Sequence, residues 1–302
     1  MIWFKNIHFY PLAEPVNTTW ETLEEQLEAH AFVPCPPQKP FTLGWVSPIP
    51  GGQTLVHVAG DCALICCQRQ ERLLPGSVVN ESLQEKIDHI KHAEDRRVSR
   101  KEKQSIKDEL IFELLPKAFV RTTQNHILLN FKTGLVAFNC ASENRADELN
   151  SFLREAMGSL PCLPMANRTK PSPVLAQWLK DTDSSPEGFQ IEPDIELSQQ
   201  ANSDAKIKLK NVDLDGEELA IHMAQEVMVK QVALEWKEKL TFVLNDKCQV
   251  KRVKFSELLT QAADDQGADD LASQYDATFA IMSAELLELY ADLQEHFGIT
   301  PE

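Results

Sequence analysis

Two charged, helix-like segments lie between two stretches that alternate like β-strands, and this interruption restricts the fold more than any other feature. Ser77 can cap a helix whose Leu83, Ile87 and Ile90 share one face. Ser99 and Glu102 form a capping box ahead of Ile106, Leu110 and Leu114, and Pro116 stops that second helix. Strand-like sequence stands on both sides, at residues 62–68 and 120–130. A helical hairpin, or one long bent helix, therefore interrupts a β-containing domain instead of following it.

The remaining chain reads as α+β. Residues 2–10 form a strand, and Thr18 with Glu21 makes a capping box before Trp20, Leu23 and Leu27. The prolines of residues 34–40 mark a loop, and strands at 54–58 and 62–68 flank a turn at Gly60-Asp61. Pro75-Gly76 ends this part. Strands 120–130 and 135–140 enclose Lys132-Thr133-Gly134, and a helix carrying Ala146, Leu149 and Leu153 stops at Gly158. Pro161, Pro164, Pro171 and Pro173 indicate a junction near residue 165.

Beyond that junction, residues 206–210 and 219–223 alternate like strands, and residues 227–236 fit either a helix or a strand. Strands at 240–244 and 249–255 surround Asn245-Asp246-Lys247. Leu286, Leu289, Tyr290, Leu293 and Phe297 recur at helical spacing before Gly298, and this face suits either a symmetric subunit interface or a core. No internal repeat or low-complexity tract is evident.

Several function classes lose support. No apolar run is long enough to span a membrane, and residues 1–10 are too broken by Lys5, Asn6 and His8 for a signal peptide, so a cytoplasmic protein without a membrane partner is expected. Seven scattered cysteines suggest packed, reduced thiols. Phosphate-cradling glycine loops, nucleophile elbows and paired-histidine metal motifs are missing, so no catalytic residue, cofactor or metal is assigned. Cys62, Cys66 and Cys67 sit in strand-like sequence that sends alternate side chains to opposite faces. Asp264, Asp265, Asp269 and Asp270 around Gly267 could bind a divalent metal as a nuclease does, but a solvated acidic loop is the simpler reading.

The net charge of −16 argues at first against a nucleic-acid partner. The acidic residues are segregated, however. Residues 255–302 hold 11 acidic and no basic residues, residues 181–204 hold 7 and none, and the remainder carries 28 acidic against 30 basic. Within that remainder, Arg96, Arg100, Lys103 and Lys107 fall within roughly 60° of helical arc, with Glu102, Glu109 and Glu113 on another stripe. Such a stripe spans about 16 Å and can meet two or three phosphates. An ordinary solvated helix face is the alternative.

Lys206, Lys208 and Lys210 would share one face of a strand, and Lys247, Lys251, Arg252 and Lys254 cluster beside the last hairpin. Lys117 and Arg121 flank Phe119, which suits either a core anchor or an exposed contact at a hairpin tip. With no aromatic stacking platform and no base-reading motif, the expected contacts are to the duplex backbone and independent of sequence. The expected set is Arg96, Arg97, Arg100, Lys103, Lys107, Lys117, Arg121, Lys206, Lys208, Lys210, Lys251 and Lys254.

Met1-Ile-Trp-Phe-Lys-Asn6, Ala31-Phe-Val-Pro-Cys35, Gly44-Trp45, Leu114-Leu-Pro-Lys-Ala-Phe119, Gly158-Ser-Leu-Pro161, Gly188-Phe-Gln190 and Val253-Lys-Phe255 resemble the RdgC family in order and spacing over nearly the whole chain. The resemblance implies a horseshoe-like α+β monomer. Its central domain would comprise residues 1–75 and 117–165, its helical tip 76–116 and its base 166–302. It implies a homodimeric ring around double-stranded DNA, with single-stranded DNA bound more weakly, that restrains the RecA recombinase and serves recombination and replication-fork repair in the nucleoid. It further implies a protein that is not an enzyme. Phe119 would match the aromatic that closes the tip interface, and Lys208 and Lys210 a DNA-facing finger, where Asn211 and Val212 replace an expected lysine-glutamine pair. A metal-dependent nuclease, and a recombinase-binding protein that needs no DNA, are the alternatives.

Overall fold

The computed structural model describes residues 2–165, 170–181, 184–199, 205–225, 227–266 and 270–297. The chain divides into two compact units, one formed by Met1–Ala29, Ser47–Ile65 and Asn125–Glu302, the other by His30–Val46 and Cys66–Gln124.

The first unit is built on an antiparallel sheet. Strand β1 (Asn6–Pro11) follows the opening apolar run and leads, after helix α1 (Trp20–Glu28), to β3 (Val56–Ala59), which pairs with the start of β4 (Cys62–Leu73). The end of β5 (Phe119–Asn130), β6 (Leu135–Asn139), β7 (Phe189–Gln199), β8 (Lys206–Leu209), β9 (Val227–Trp236), β10 (Leu240–Asn245) and β11 (Val250–Phe255) supply the rest. Their order is β5-β6-β1-β11-β10-β9-β7-β8. Residues 227–236, which fitted two periods, are a strand because they pair on both sides, with β10 and with β7.

Helices cover this sheet. Helix α8 (Leu271–His296) lays Leu286, Leu289 and Leu293, all fully buried, into the core, and Tyr290 lies 5.4 Å from Phe9. The apolar face that suited either an interface or a core is therefore core. Helix α5 (Pro171–Lys180) adds Trp178, whose ring meets Phe189 at 5.7 Å and Phe297 at 5.4 Å. Helix α4 (Glu143–Met157) ends at Gly158 with φ of 76°, where a residue without Cβ is favoured. Its Asp147 accepts a 2.6 Å bond from the Tyr10 hydroxyl.

Several local expectations need correction. Thr19, not Thr18, caps α1 and accepts from the Thr22 amide. Helix α2 (Gly76–Glu94) starts at Gly76 behind Pro75, so Ser77 lies inside its first turn and cannot cap it. Residues 219–223 belong to helix α6 (Glu217–Met223), since Leu219 and Met223 pack inward four residues apart. Asp264 and Asp265 lie on helix α7 (Glu257–Gln266) and Asp270 caps α8, accepting from the Ser273 amide and hydroxyl. Gly267, Asp269 and Gly298 fall outside the described residues.

The second unit contains β2 (Phe41–Val46), which the sequence reading missed, the later part of β4, and the start of β5. Helix α3 (Arg100–Leu114) pairs with α2 as the expected hairpin, turned by Asp95 in the left-handed region. Ser99 accepts from the Glu102 amide, so this cap stands as read. A Cβ on Gly44 would lie 2.2 Å from the Phe32 backbone, which fixes glycine there. Arg72 donates to the carbonyls of Cys35, Pro36, Pro116 and Ala118, tying the proline-rich loop to the turn before β5.

Burial first, then the Lys251 charge, lowers the pKa of His8 against the opposing pull of Glu143 and Asp147, and burial lowers that of His126. Below pH 6.5 the unfolded chain therefore takes up protons that the folded chain does not, so stability is full above that pH and declines as pH falls. The melting temperature should drop between pH 7 and 5.5, and His8→Gln should flatten the drop; a melting temperature that is constant or rises towards pH 5.5 would contradict this account.

Candidate nucleic-acid interface

The structure sorts the expected basic residues by whether a carboxylate already holds them. Arg96 is not part of a helical stripe. It precedes α3 and is clamped by Glu94 and by Glu102, the latter at 2.6 Å. The same clamp holds the Glu102 carboxyl below its usual range. The stripe is thereby shortened to Arg100, Lys103 and Lys107, about 10 Å of helix. On the other stripe, Glu113 meets Lys86 of α2 at 3.4 Å.

Arg121 is likewise engaged, by Glu71 on the neighbouring strand β4. The Arg69 guanidinium, and after it Arg121, keep Glu71 below the ordinary carboxylate range. In the other unit, Lys206 and Lys208 both reach Glu196, at 3.1 and 3.6 Å, and Lys247 pairs with Glu143. These pairs leave Arg97, Arg100, Lys103, Lys107, Lys117, Lys210, Lys251 and Lys254 without a carboxylate partner among the described residues. Six of the eight are exposed, while Lys107 and Lys251 are half-buried.

Sequence reasoning found the lysines and arginines but missed their counter-ions. Glu71 and Glu196 became recognisable only once β4 lay beside β5 and β7 beside β8. Alternation within residues 189–199 could have flagged Glu196, since it shares a strand face with Ser198 and Asp194.

Phe119 opens β5 directly after the 3-10 turn Leu115–Lys117, whose Ala118 carbonyl Arg72 holds. Its ring is 85% exposed, which rules out the core anchor. Val120 and Phe112 also face solvent. Residues 119–124 are all exposed, and β6 pairs with β5 only from Ile127 onward. That part of β5 keeps one edge without a strand partner among the described residues.

The carboxylates that suited a metal are dispersed: Asp264 and Asp265 project from α7, and Asp270 is spent on its cap. Among the described residues no group of three or more His, Cys, Asp or Glu side chains is placed to hold a metal ion. Among the described residues no helix is long and apolar enough to cross a membrane.

An α+β protein with solvent-facing cations left unpaired in an acidic chain has surfaces suited to a polyanion. A family model described as "Putative exonuclease, RdgC" matches residues 2–300. A protein of Aeromonas hydrophila named "Recombination-associated protein RdgC" is 39% identical over 298 residues, covering 98% of both chains. Proteins of the same name from Pseudomonas putida strain GB-1 and Tolumonas auensis are 38% and 35% identical, with 97% and 98% of those chains covered. The chain belongs to the RdgC family.

An exposed Phe119 carries little folding energy. Phe119→Ala should change stability by less than about 0.5 kcal/mol, whereas Leu115→Ala, four residues earlier and buried, should cost about 2–5 kcal/mol. Equal losses in denaturant titrations would place Phe119 back in the core.

Proposed function

We propose that this protein binds duplex DNA through the phosphate backbone, without sequence preference, as a ring-shaped homodimer, and that it restrains a RecA-type recombinase by occupying the duplex. The observation that carries this reading is that eight of the twelve expected basic side chains have no carboxylate partner among the described residues, in a chain of net charge −16. Unpaired cations on an acidic protein attract phosphates and release condensed counterions on binding. The recombination-associated name of the relatives agrees with a DNA substrate.

In this proposal each monomer is a horseshoe with a central region of residues 1–75 and 117–165, a helical tip of 76–116 and a base of 166–302. Arg97, Arg100, Lys103, Lys107 and Lys117 contact the backbone from one unit, and Lys210, Lys251 and Lys254 from the other. Arg96, Arg121, Lys206 and Lys208 contribute after exchanging carboxylate for phosphate. The exposed Phe119 ring, at the start of a strand edge without a partner, closes the second contact between subunits. Single-stranded DNA binds more weakly, and the protein acts at the nucleoid in recombination and fork repair, without a cofactor and without catalysis.

The family description keeps an exonuclease as the competing reading. Here the acidic side chains offer little for it: Asp264 and Asp265 stand apart on α7 and Asp270 is engaged by Ser273. Metal-dependent loss of DNA ends would establish that reading. Recombinase binding that survives nuclease treatment would favour a direct interaction instead.

Light scattering should give a dimer of the 34.1 kDa chain at micromolar concentration. Duplex affinity should fall by roughly 10³-fold or more between 50 and 200 mM salt and change less than about tenfold when the target is scrambled. Phe119→Ala should stay folded yet release circular duplexes faster than wild type. A monomer, or equal retention of circles, would refute the ring.

A further inference from the structure

Strand β8 lies at the outer edge of its sheet, and its two lysines, Lys206 and Lys208, do not face open solvent alone; Lys210 follows the end of the strand. Lys208 stands directly opposite Glu196 of β7, Lys206 opposite Ser198, and Leu209 opposite Ile195. Glu196 is only 8% exposed, yet it carries a charge-bearing group. Both of its carboxylate oxygens are used. Oε1 meets the Lys206 Nζ at 3.1 Å, while Oε2 lies 3.6 Å from the Lys208 Nζ and accepts from the Gln231 Nε2 at 3.2 Å. Gln231 is the residue opposite Glu196 on the other side, in β9, so three adjacent strands contribute to one polar row.

A buried carboxylate is tolerated when paired and hydrogen-bonded, and this one satisfies both conditions with lysines whose own side chains remain more than half exposed. The lysines therefore have two possible partners, the internal carboxylate and an external phosphate. We propose that Glu196 is an internal counter-ion that positions Lys206 and Lys208 on one face of β8 and sets how strongly this strand binds a phosphate polyanion. Lys206, Lys208 and Glu196 together present one net positive charge, and a phosphate gains the second only by displacing Glu196. This assignment rests on the DNA-backbone reading for its biological ligand, but its chemistry applies to any sulfate or phosphate polymer.

Glu196→Gln keeps an acceptor and a donor for Gln231 and removes the charge. In the full-length protein it should tighten duplex binding several-fold near 0.15 M salt, steepen the log–log salt slope by about one contact, and raise the salt needed for elution from immobilised heparin. Lys208→Gln alone should weaken binding, and adding Glu196→Gln to it should restore the wild-type slope, because one positive and one negative charge are then removed together and Lys206 keeps the net charge of +1. Lys208→Gln keeps the buried carboxylate paired with Lys206, so its weaker binding still tests the arrangement if Glu196→Gln melts early. Unchanged or weaker binding by folded Glu196→Gln, or no rescue of Lys208→Gln, would overturn the role of Glu196. Wild-type protein that ignores duplex DNA while heparin elution follows the predicted order would refute the DNA reading and leave the counter-ion assignment standing.

Discussion

Strand β1 is hydrogen-bonded on both sides, and the larger unit depends on that double pairing. One side takes β6 over five successive register positions, and the other takes β11 at Asn6 and Ile7. The Val253 amide on the Lys5 carbonyl and the Arg252 amide on the Asn6 side chain extend the second junction. The last of these bonds joins residues 246 positions apart. A buried strand that lacked either neighbour would strand its peptide groups away from water. The sheet is therefore completed only when the chain's first residues meet both its middle and its last third, a topology with slow, non-local folding. The unit of residues 30–46 and 66–124 carries its own closing contacts, such as the Arg72 bonds and the α2–α3 hairpin.

The outline of this fold was legible wherever a local rule acted alone. Ser99 with Glu102, the hairpin at Gly60-Asp61, the stop at Gly158 and the helical period of α8 are each set by neighbours in sequence, whereas the choice of core over interface for the α8 face came only from packing. The misreadings have a common physical origin. Residues 219–223 alternate, but Gly216 followed by Glu217 and Glu218 opens a helix whose N-terminal dipole favours those acids. Prolines 171 and 173 looked like boundary signals, although proline is well tolerated in the first helical turn, where α5 places them. Strand β2 escaped notice because its exposed Phe41 and its Gly44 blur the alternation, and Gly44 is there for backbone proximity to Phe32.

The basic surface was half legible for a related reason. Charge counts and helical arcs describe one element at a time, whereas counter-ions come from the next strand or, for Arg96, from the helices on either side of its loop. Glu71 for Arg121, Glu196 for Lys206 and Lys208, and Glu94 with Glu102 for Arg96 all belong to that class. The result is graded: some cations stand ready and others are held in reserve. Under the proposed DNA-backbone reading, contacts of unequal strength would grip the duplex without locking onto it, since each exchange of carboxylate for phosphate returns part of the binding energy.

The buried sulfur atoms lead in a different direction. All seven cysteines are enclosed, in the proline-rich loop (Cys35), along β4 (Cys62, Cys66, Cys67), after β6 (Cys140), after Leu160 (Cys162) and between β10 and β11 (Cys248). Burial pushes the thiols of Cys140, Cys162 and Cys248 up to about 12. At neutral pH these three groups stay in the less reactive thiol form. Burial shields the seven sulfurs from reagents in solution, and a given sulfur becomes accessible when its own surroundings open. Scattered through both units, the cysteines act as chemical clocks, and the order in which they are marked records the order in which the architecture comes apart.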